Sequence, residues 1–155
     1  MGKKTTRFGC VMSIVLLTLL FSGQPHHHAF AVTVEPVCSS VTKDGDKIVI
    51  PVKIQSKKEE VIVAWGFDIK LHGLEYVEWV KSGCLAEGSQ SFMCNQMSSG
   101  NVRCGSYTGN LNIKGDHTLF KLVLKKVSGA QESSIRFLNF VDNLAGVQTA
   151  DCKVH

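Results

Sequence analysis

The chain has 155 residues, of which 19% are charged and 44% hydrophobic, a size that suits one domain with a real core and is too short for two. Its formal charge of +4 is concentrated at the start: Lys3, Lys4 and Arg7 precede residue 32 while no acidic residue does, so 32–155 carries 14 basic against 13 acidic residues. No basic stripe remains for nucleic acid, and Lys57-Lys58 is answered at once by Glu59-Glu60, the pattern of a solvated loop.

Residues 1–31 read as a helical secretory signal peptide. A positive start is followed by the apolar run Val11 to Phe21 and by the small-x-small site Ala29-Phe30-Ala31. Cleavage is predicted after Ala31, which places the product in a secreted, periplasmic or extracellular setting. The apolar run is about half of the ~20 residues that span a bilayer, so no permanent membrane anchor is expected. Cys10 and the metal-like tract His26-His27-His28 leave with this segment.

From residue 32 the chain reads as a series of short strands. Val32 to Val37 alternates and stops near Pro36, and Lys43-Asp44-Gly45-Asp46 is a turn ahead of Ile48 to Ile54. Pro51 lacks a donor and predicts a sheet edge or a solvent-directed position. Next comes the longest alternation: Trp65, Phe67, Ile69 and Leu71 on one face, Gly66, Asp68 and Lys70 on the other, with His72-Gly73 as a corner before Leu74 to Val80. Ser82 to Ser91 is a polar connection, Phe92 to Met97 and Asn101 to Tyr107 are the arms of a hairpin, and Asn110 to Gly115 reads as loop. Asp116 to Val127 is a long strand, Ile135 to Phe140 another, and a last short one lies around Ala150 to Val154. About nine strands with turns between them and no long amphipathic helix define one all-β sandwich over 32–155.

Five cysteines follow the signal, an odd number. A turn Ser98-Ser99-Gly100 with Gly100 left-handed sets Cys94 directly opposite Cys104 on the hairpin. Cys38 and Cys152 staple the two ends if the terminal strands are neighbours. Cys84 is then the odd thiol, although it also competes for Cys94. No CxxC spacing occurs, and His72, His117 and His155 make no zinc set.

The search for catalysis returns nothing convergent. Ser91 and Ser106 lack a glycine elbow, Glu75 and Glu78 at i, i+3 on a strand face opposite sides, and Asp116-His117 reads as a loop pair. Binding remains, in two forms. Trp65, Tyr76, Trp79 and Tyr107 are the aromatics available to stack on sugar rings, with Trp65 assigned by alternation to the core. Alternatively, a flat sheet face docks another protein, with Gly66, Asp68 and Lys70 as one strip and Arg103, Gly105 and Tyr107 as another.

The run Gly45-Asp46-Lys47-Ile48-Val49-Ile50-Pro51-Val52, then Trp65-Gly66-Phe67-Asp68-Ile69-Lys70-Leu71, then Leu74-Glu75-Tyr76-Val77, resembles the opening strands of cohesin domains. Gly115 to Leu124 looks like that family's glycine-led strand, and Phe140-Val141-Asp142-Asn143-Leu144 like its late loop. The similarity runs from about Val32 to Val154. It implies a nine-stranded jelly-roll sandwich that binds a dockerin module through one sheet face without catalysis and without a cofactor of its own, any calcium belonging to the dockerin. The family's outward aspartate of the third strand corresponds to Asp68. Related sandwiches bind carbohydrate, so a polysaccharide ligand is the alternative the resemblance carries.

Overall fold

The computed structural model describes residues 32–107, 110–147, 149 and 151–155. The signal-peptide reading of residues 1–31, with its cleavage point after Ala31, lies outside them. In chain order the strands are β1 (Val32–Pro36), β2 (Thr42–Asp44), β3 (Lys47–Ile62), β4 (Trp65–His72), β5 (Leu74–Val80), β6 (Met93–Ser98), β7 (Asn101–Ser106), β8 (Leu111–Lys126), β9 (Ser134–Asp142) and β10 (Cys152–Lys153). Short 3-10 turns, Cys38–Ser40 and Leu85–Gly88, interrupt the series.

Two antiparallel sheets face each other: β1-β3-β8-β5, with β2 also on β3, and β10-β9-β4-β7-β6. The period of two along each strand decides which residues meet between them. Ile48, Ile50, Val52 and Ile54 of β3 and Phe120, Leu122 and Leu124 of β8 come from one sheet; Trp65, Phe67, Ile69 and Leu71 of β4, Val102 of β7 and Ile135 and Phe137 of β9 come from the other. Phe67 is the centre, its ring 5.8 Å from Trp65, 6.3 Å from Phe120, 5.1 Å from Phe137 and 5.4 Å from Phe140. The expected all-β jelly-roll sandwich is therefore present, with the inner face of β4 as predicted.

Several local expectations are corrected. Asn110 to Gly115 is not a loop, because β8 begins at Leu111 and buries Leu111 and Ile113 against Glu60 to Ile62. The Lys57-Lys58-Glu59-Glu60 run accordingly lies inside β3, at a register break between Ser56 and Glu60, with the Ser56 hydroxyl accepting from the Lys58 N–H at 3.3 Å. Its polarity concealed a strand whose pairing resumes at Glu60, opposite Ile113, and follows the alternation of β8. Asp116 and His117 likewise sit in β8, where Asp116 pairs with Lys53 at 2.8 Å. Phe140 to Asp142 belongs to β9 rather than to a loop, and only the turn after it, from Asn143, matches that reading.

Pro51 is in an inner strand, paired on both sides of β3. Its carbonyl accepts from Val37 N–H at 2.9 Å, so its missing donor points to the same side, where β1 ends at Val52 and β2 begins at Val49. The donor gap thus falls between two short strands and costs no ladder bond. The Glu75 and Glu78 assignment also changes. A bulge at Val77 sets Glu75 opposite Lys125 and Glu78 opposite Val123, so both face outward on one side, Glu78 accepting from Lys47 at 3.1 Å.

Candidate functional site

The outer faces of the two sheets differ in kind. On the β3-β8-β5 face Lys47 pairs with Glu78, Lys53 with Asp116 at 2.8 Å and Lys125 with Asp46 at 2.6 Å, and the exposed apolar side chains Val61 and Val77 stand apart on separate strands. On the β9-β4-β7-β6 face Met93, Tyr107 and Val141 stand exposed around a groove of about 450 Å³, and Met97 is exposed beside Asp68 and Lys70 at a smaller hollow next to it. Charged residues that satisfy one another suit water, whereas gathered apolar side chains suit a partner.

The groove floor is the cross-strand pair Gly66 and Gly105. A Cβ on Gly105 would come within 2.8 Å of the Trp65 carbonyl oxygen and 3.2 Å of Gly66 Cα, while one on Gly66 would meet Val141 Cγ2 at 3.2 Å. Absent side chains let backbone form the floor and leave Met93, Tyr107 and Val141 to form the walls.

Beside this floor, Asp68 is held from two neighbouring strands. Its Oδ1 accepts from Arg103 Nε at 2.7 Å, and its Oδ2 accepts from Arg103 Nη2 at 3.0 Å and from Asn139 Nδ2 at 2.8 Å. Asn139 arrives there because β9 carries a bulge opposite Phe67, with Asn139 at φ 54°, a left-handed conformation that asparagine tolerates. The same bulge turns Phe140 inward onto Phe67. Hydrogen bonding by Arg103 holds the Asp68 carboxyl below its usual range, with Asn139 adding to the effect and partial burial opposing it, while Asp68 raises the Arg103 guanidinium further. Asp68 is 19% exposed against 63% for Arg103, so the arginine presents the outward surface of the pair.

The β6–β7 hairpin carries the far wall. Cys94 and Cys104 are directly opposite and disulfide-bonded, as expected from their spacing about Ser99. Gly100 is left-handed at φ 74°, but the turn is tighter than predicted: Ser98 pairs with Asn101, and the extra residue is a bulge at Met97. The Tyr76 hydroxyl donates to the Cys94 carbonyl at 3.2 Å, tying edge strand β6 to the other sheet. Beyond β7, Tyr107 N–H donates to Ser91 Oγ at 3.1 Å, and the hydroxyls of Ser91 and Ser89 lie 2.8 and 2.5 Å from Ser106 Oγ. These serines hold the chain that places Tyr107 at the groove rim.

The structure thus brings Gly66, Asp68, Lys70, Arg103 and Tyr107 onto one face. Asn139, Met93, Met97 and Val141 were not singled out from the sequence. Asn139 was legible only as an asparagine breaking the alternation of β9, and the methionines only as apolar residues on an edge strand. Of the aromatics considered for sugar stacking, Trp65 is core, Tyr76 is half-buried and hydrogen-bonded, and Trp79 packs edge-on against Phe92 at 4.9 Å. Tyr107 alone of the four is exposed.

Cys38 and Cys152 are also joined, with Cα atoms 5.9 Å apart, and Cys84 is a buried free thiol whose pKa burial raises. Among the described residues no group of three or more His, Cys, Asp or Glu converges, and no helix is long and apolar enough to cross a membrane.

No family model and no curated protein matches the chain. Solved structures do, and they share the cohesin fold. The third cohesin of ScaC from Acetivibrio cellulolyticus, in complex with the ScaB dockerin, superposes with a TM-score of 0.61 at 15% identity, covering 79% of this chain and 96% of that one. The OlpA cohesin from Clostridium thermocellum, also solved with a dockerin, gives 0.58 at 20% identity over 79% and 97%. A non-cellulosomal cohesin from the archaeon Archaeoglobus fulgidus gives 0.52 at 15% identity over 80% and 91%. The chain therefore has a cohesin-like fold, as its strand motifs implied.

Proposed function

We propose that this chain is an exported, non-catalytic docking module whose β9-β4-β7-β6 face binds a dockerin-type protein module. The observation that carries the reading is the groove on that face: a backbone floor at Gly66 and Gly105 walled by the exposed Met93, Tyr107 and Val141, with the Asp68–Arg103 pair beside it. Asp68, Gly66, Lys70, Arg103 and Tyr107 are the contact residues in this reading, with Asp68 acting through Arg103. Two disulfides support an oxidising, extracytoplasmic setting. The module takes no cofactor, calcium belonging to the dockerin, and its place is in an assembly that degrades polysaccharide.

The test is capture on a panel of calcium-loaded dockerins, repeated with chelator. Binding that requires calcium and falls at least tenfold with Arg103→Ala supports the reading; indifference of every dockerin to the protein overturns it. Direct polysaccharide binding has Tyr107 as its one exposed aromatic support. Retention on insoluble polysaccharide that is lost in Tyr107→Ala would favour that alternative.

A further inference from the structure

We propose that the free edge of β6 is a self-association site: two copies of this chain pair antiparallel along it, about a two-fold axis at Asn95, and join their β10-β9-β4-β7-β6 sheets into one.

A strand at the rim of a sheet leaves backbone donors and acceptors without a ladder partner, and such edges are ordinarily blunted by charge, proline or shortness. Among the described residues β1 carries Glu35 and Pro36, and β2 is three residues long with Lys43 and Asp44. Glu75 and Glu78 flank a bulge in β5, and β10 is two residues long with Lys153. β6 is the exception. Its six residues, Met93 to Ser98, include neither a charge nor a proline, and its bulge at Met97 lies toward the turn.

The side chains select a second copy as the occupant. Toward the outer face β6 presents Met93, Asn95 and Met97, all exposed, and this order reads the same in both directions. Antiparallel pairing about Asn95 therefore sets Met93 opposite the partner's Met97, Asn95 opposite the partner's Asn95, and Met97 opposite the partner's Met93. Two apolar cross-strand pairs flank an amide pair, and no like charges are opposed, as an isologous contact requires.

The backbone agrees with this register. Cys94 and Cys104 are directly opposite with Cα atoms 4.0 Å apart, the close spacing of a non-hydrogen-bonded antiparallel pair, so the N–H and C=O of Cys94 turn away from β7. The Tyr76 hydroxyl, which reaches the Cys94 carbonyl at 3.2 Å, finds it on that outer side. Gln96, two residues on, repeats the orientation. Cys94 then exchanges N–H and C=O with the partner's Gln96, and symmetry repeats the exchange; the Cys94 oxygen has a second lone pair for it beside Tyr76. Met93 is a wall of the groove, so the partner's Met97 comes to stand behind that wall and extends it.

No dockerin enters the test, which therefore stands apart from the docking reading. The full chain is followed by sedimentation velocity from about 1 μM to about 1 mM, a range suited to a small interface. The unsubstituted chain should pass from monomer to dimer across it. Asn95→Lys and Asn95→Asp each place like charges face to face on the axis and should raise the midpoint at least tenfold, whereas an equimolar mixture of the two should restore dimer at the unsubstituted midpoint or below. Amide exchange of the unsubstituted chain gives a reading that needs no variant: Cys94 and Gln96 should slow at least fivefold between dilute and concentrated protein, while Asn95, whose backbone faces β7, stays constant. A chain that is monomeric throughout overturns the inference and leaves the edge to a strand of a different protein. A dimer unmoved by either substitution, a mixture no better than its components, or Cys94 and Gln96 amides indifferent to concentration overturns it as well.

Discussion

At the scale of single residues, Asp68 is the clearest case of a role changed by its neighbours. The alternation of β4 identifies it as the outward carboxylate, but not that Arg103 and Asn139 would occupy both its oxygens. Its folded pKa is depressed, so its contribution to stability is complete above the ordinary carboxylate value near 4 and is lost as pH falls through the lower folded value. Asp68→Asn should therefore flatten the acid limb of a plot of urea midpoint against pH and leave its shape above pH 6 unchanged. Asn143 has a different kind of leverage: its Oδ1 accepts from both Val63 and Ala64 N–H at 3.0 Å. Asn143→Ala removes both acceptors and should cost about 1–3 kcal/mol in denaturant unfolding. Gly105→Ala drives a Cβ into the Trp65 carbonyl and should cost about 1–3 kcal/mol, more than Gly66→Ala, whose closest neighbour is the end of a side chain.

At the scale of elements, the two disulfides do different work. The Cys94–Cys104 link closes a separation of 10 residues on an edge strand, and Cys38–Cys152 closes one of 114. Chain entropy assigns about 3 kcal/mol to a loop of 15 residues and about 4.7 kcal/mol to one of 100. Replacing Cys38 and Cys152 by alanine should lower the global unfolding midpoint the more. Replacing Cys94 and Cys104 should accelerate amide exchange first in β6, and weaken partner capture by loosening the wall that carries Met93. Elements were legible where alternation was continuous, as in β4, and where a turn residue was unmistakable, as at Gly100. They were missed where one strand borrows its pairing from another: Lys57 to Glu60 has no apolar alternation of its own, and its strand exists because Leu111 and Ile113 are buried alongside it. Bulges at Val77, Met97 and Asn139 leave no periodic signal, since each is an irregularity that only the partner strand defines.

At the scale of the whole molecule, the sandwich was readable from the sequence in outline, as was the placement of Gly66, Asp68 and Lys70 on the outer side of an apolar strand. The contrast with the opposite face was not readable, because Lys47, Glu78, Lys125, Asp46, Lys53 and Asp116 become ion pairs only after β3, β5 and β8 are side by side and the turn after β2 folds back. Exposed pairs of this kind contribute little to stability, because water and salt screen them. Lys47→Ala and Lys53→Ala should thus change the unfolding midpoint little and leave partner capture unaltered, which distinguishes the two faces by function as well as by composition.

The glycine floor also bears on how such a module diversifies. Residue 105 is fenced by backbone on the adjoining strand, so descent with modification can scarcely touch it, whereas positions 93, 107 and 141 stand at an open margin and admit almost any side chain. A lineage carrying this groove is free to retune what it accepts by single substitutions at the margin while the base stays constant. Partner choice in it should therefore drift quickly, with the fold as the unchanging part of the inheritance.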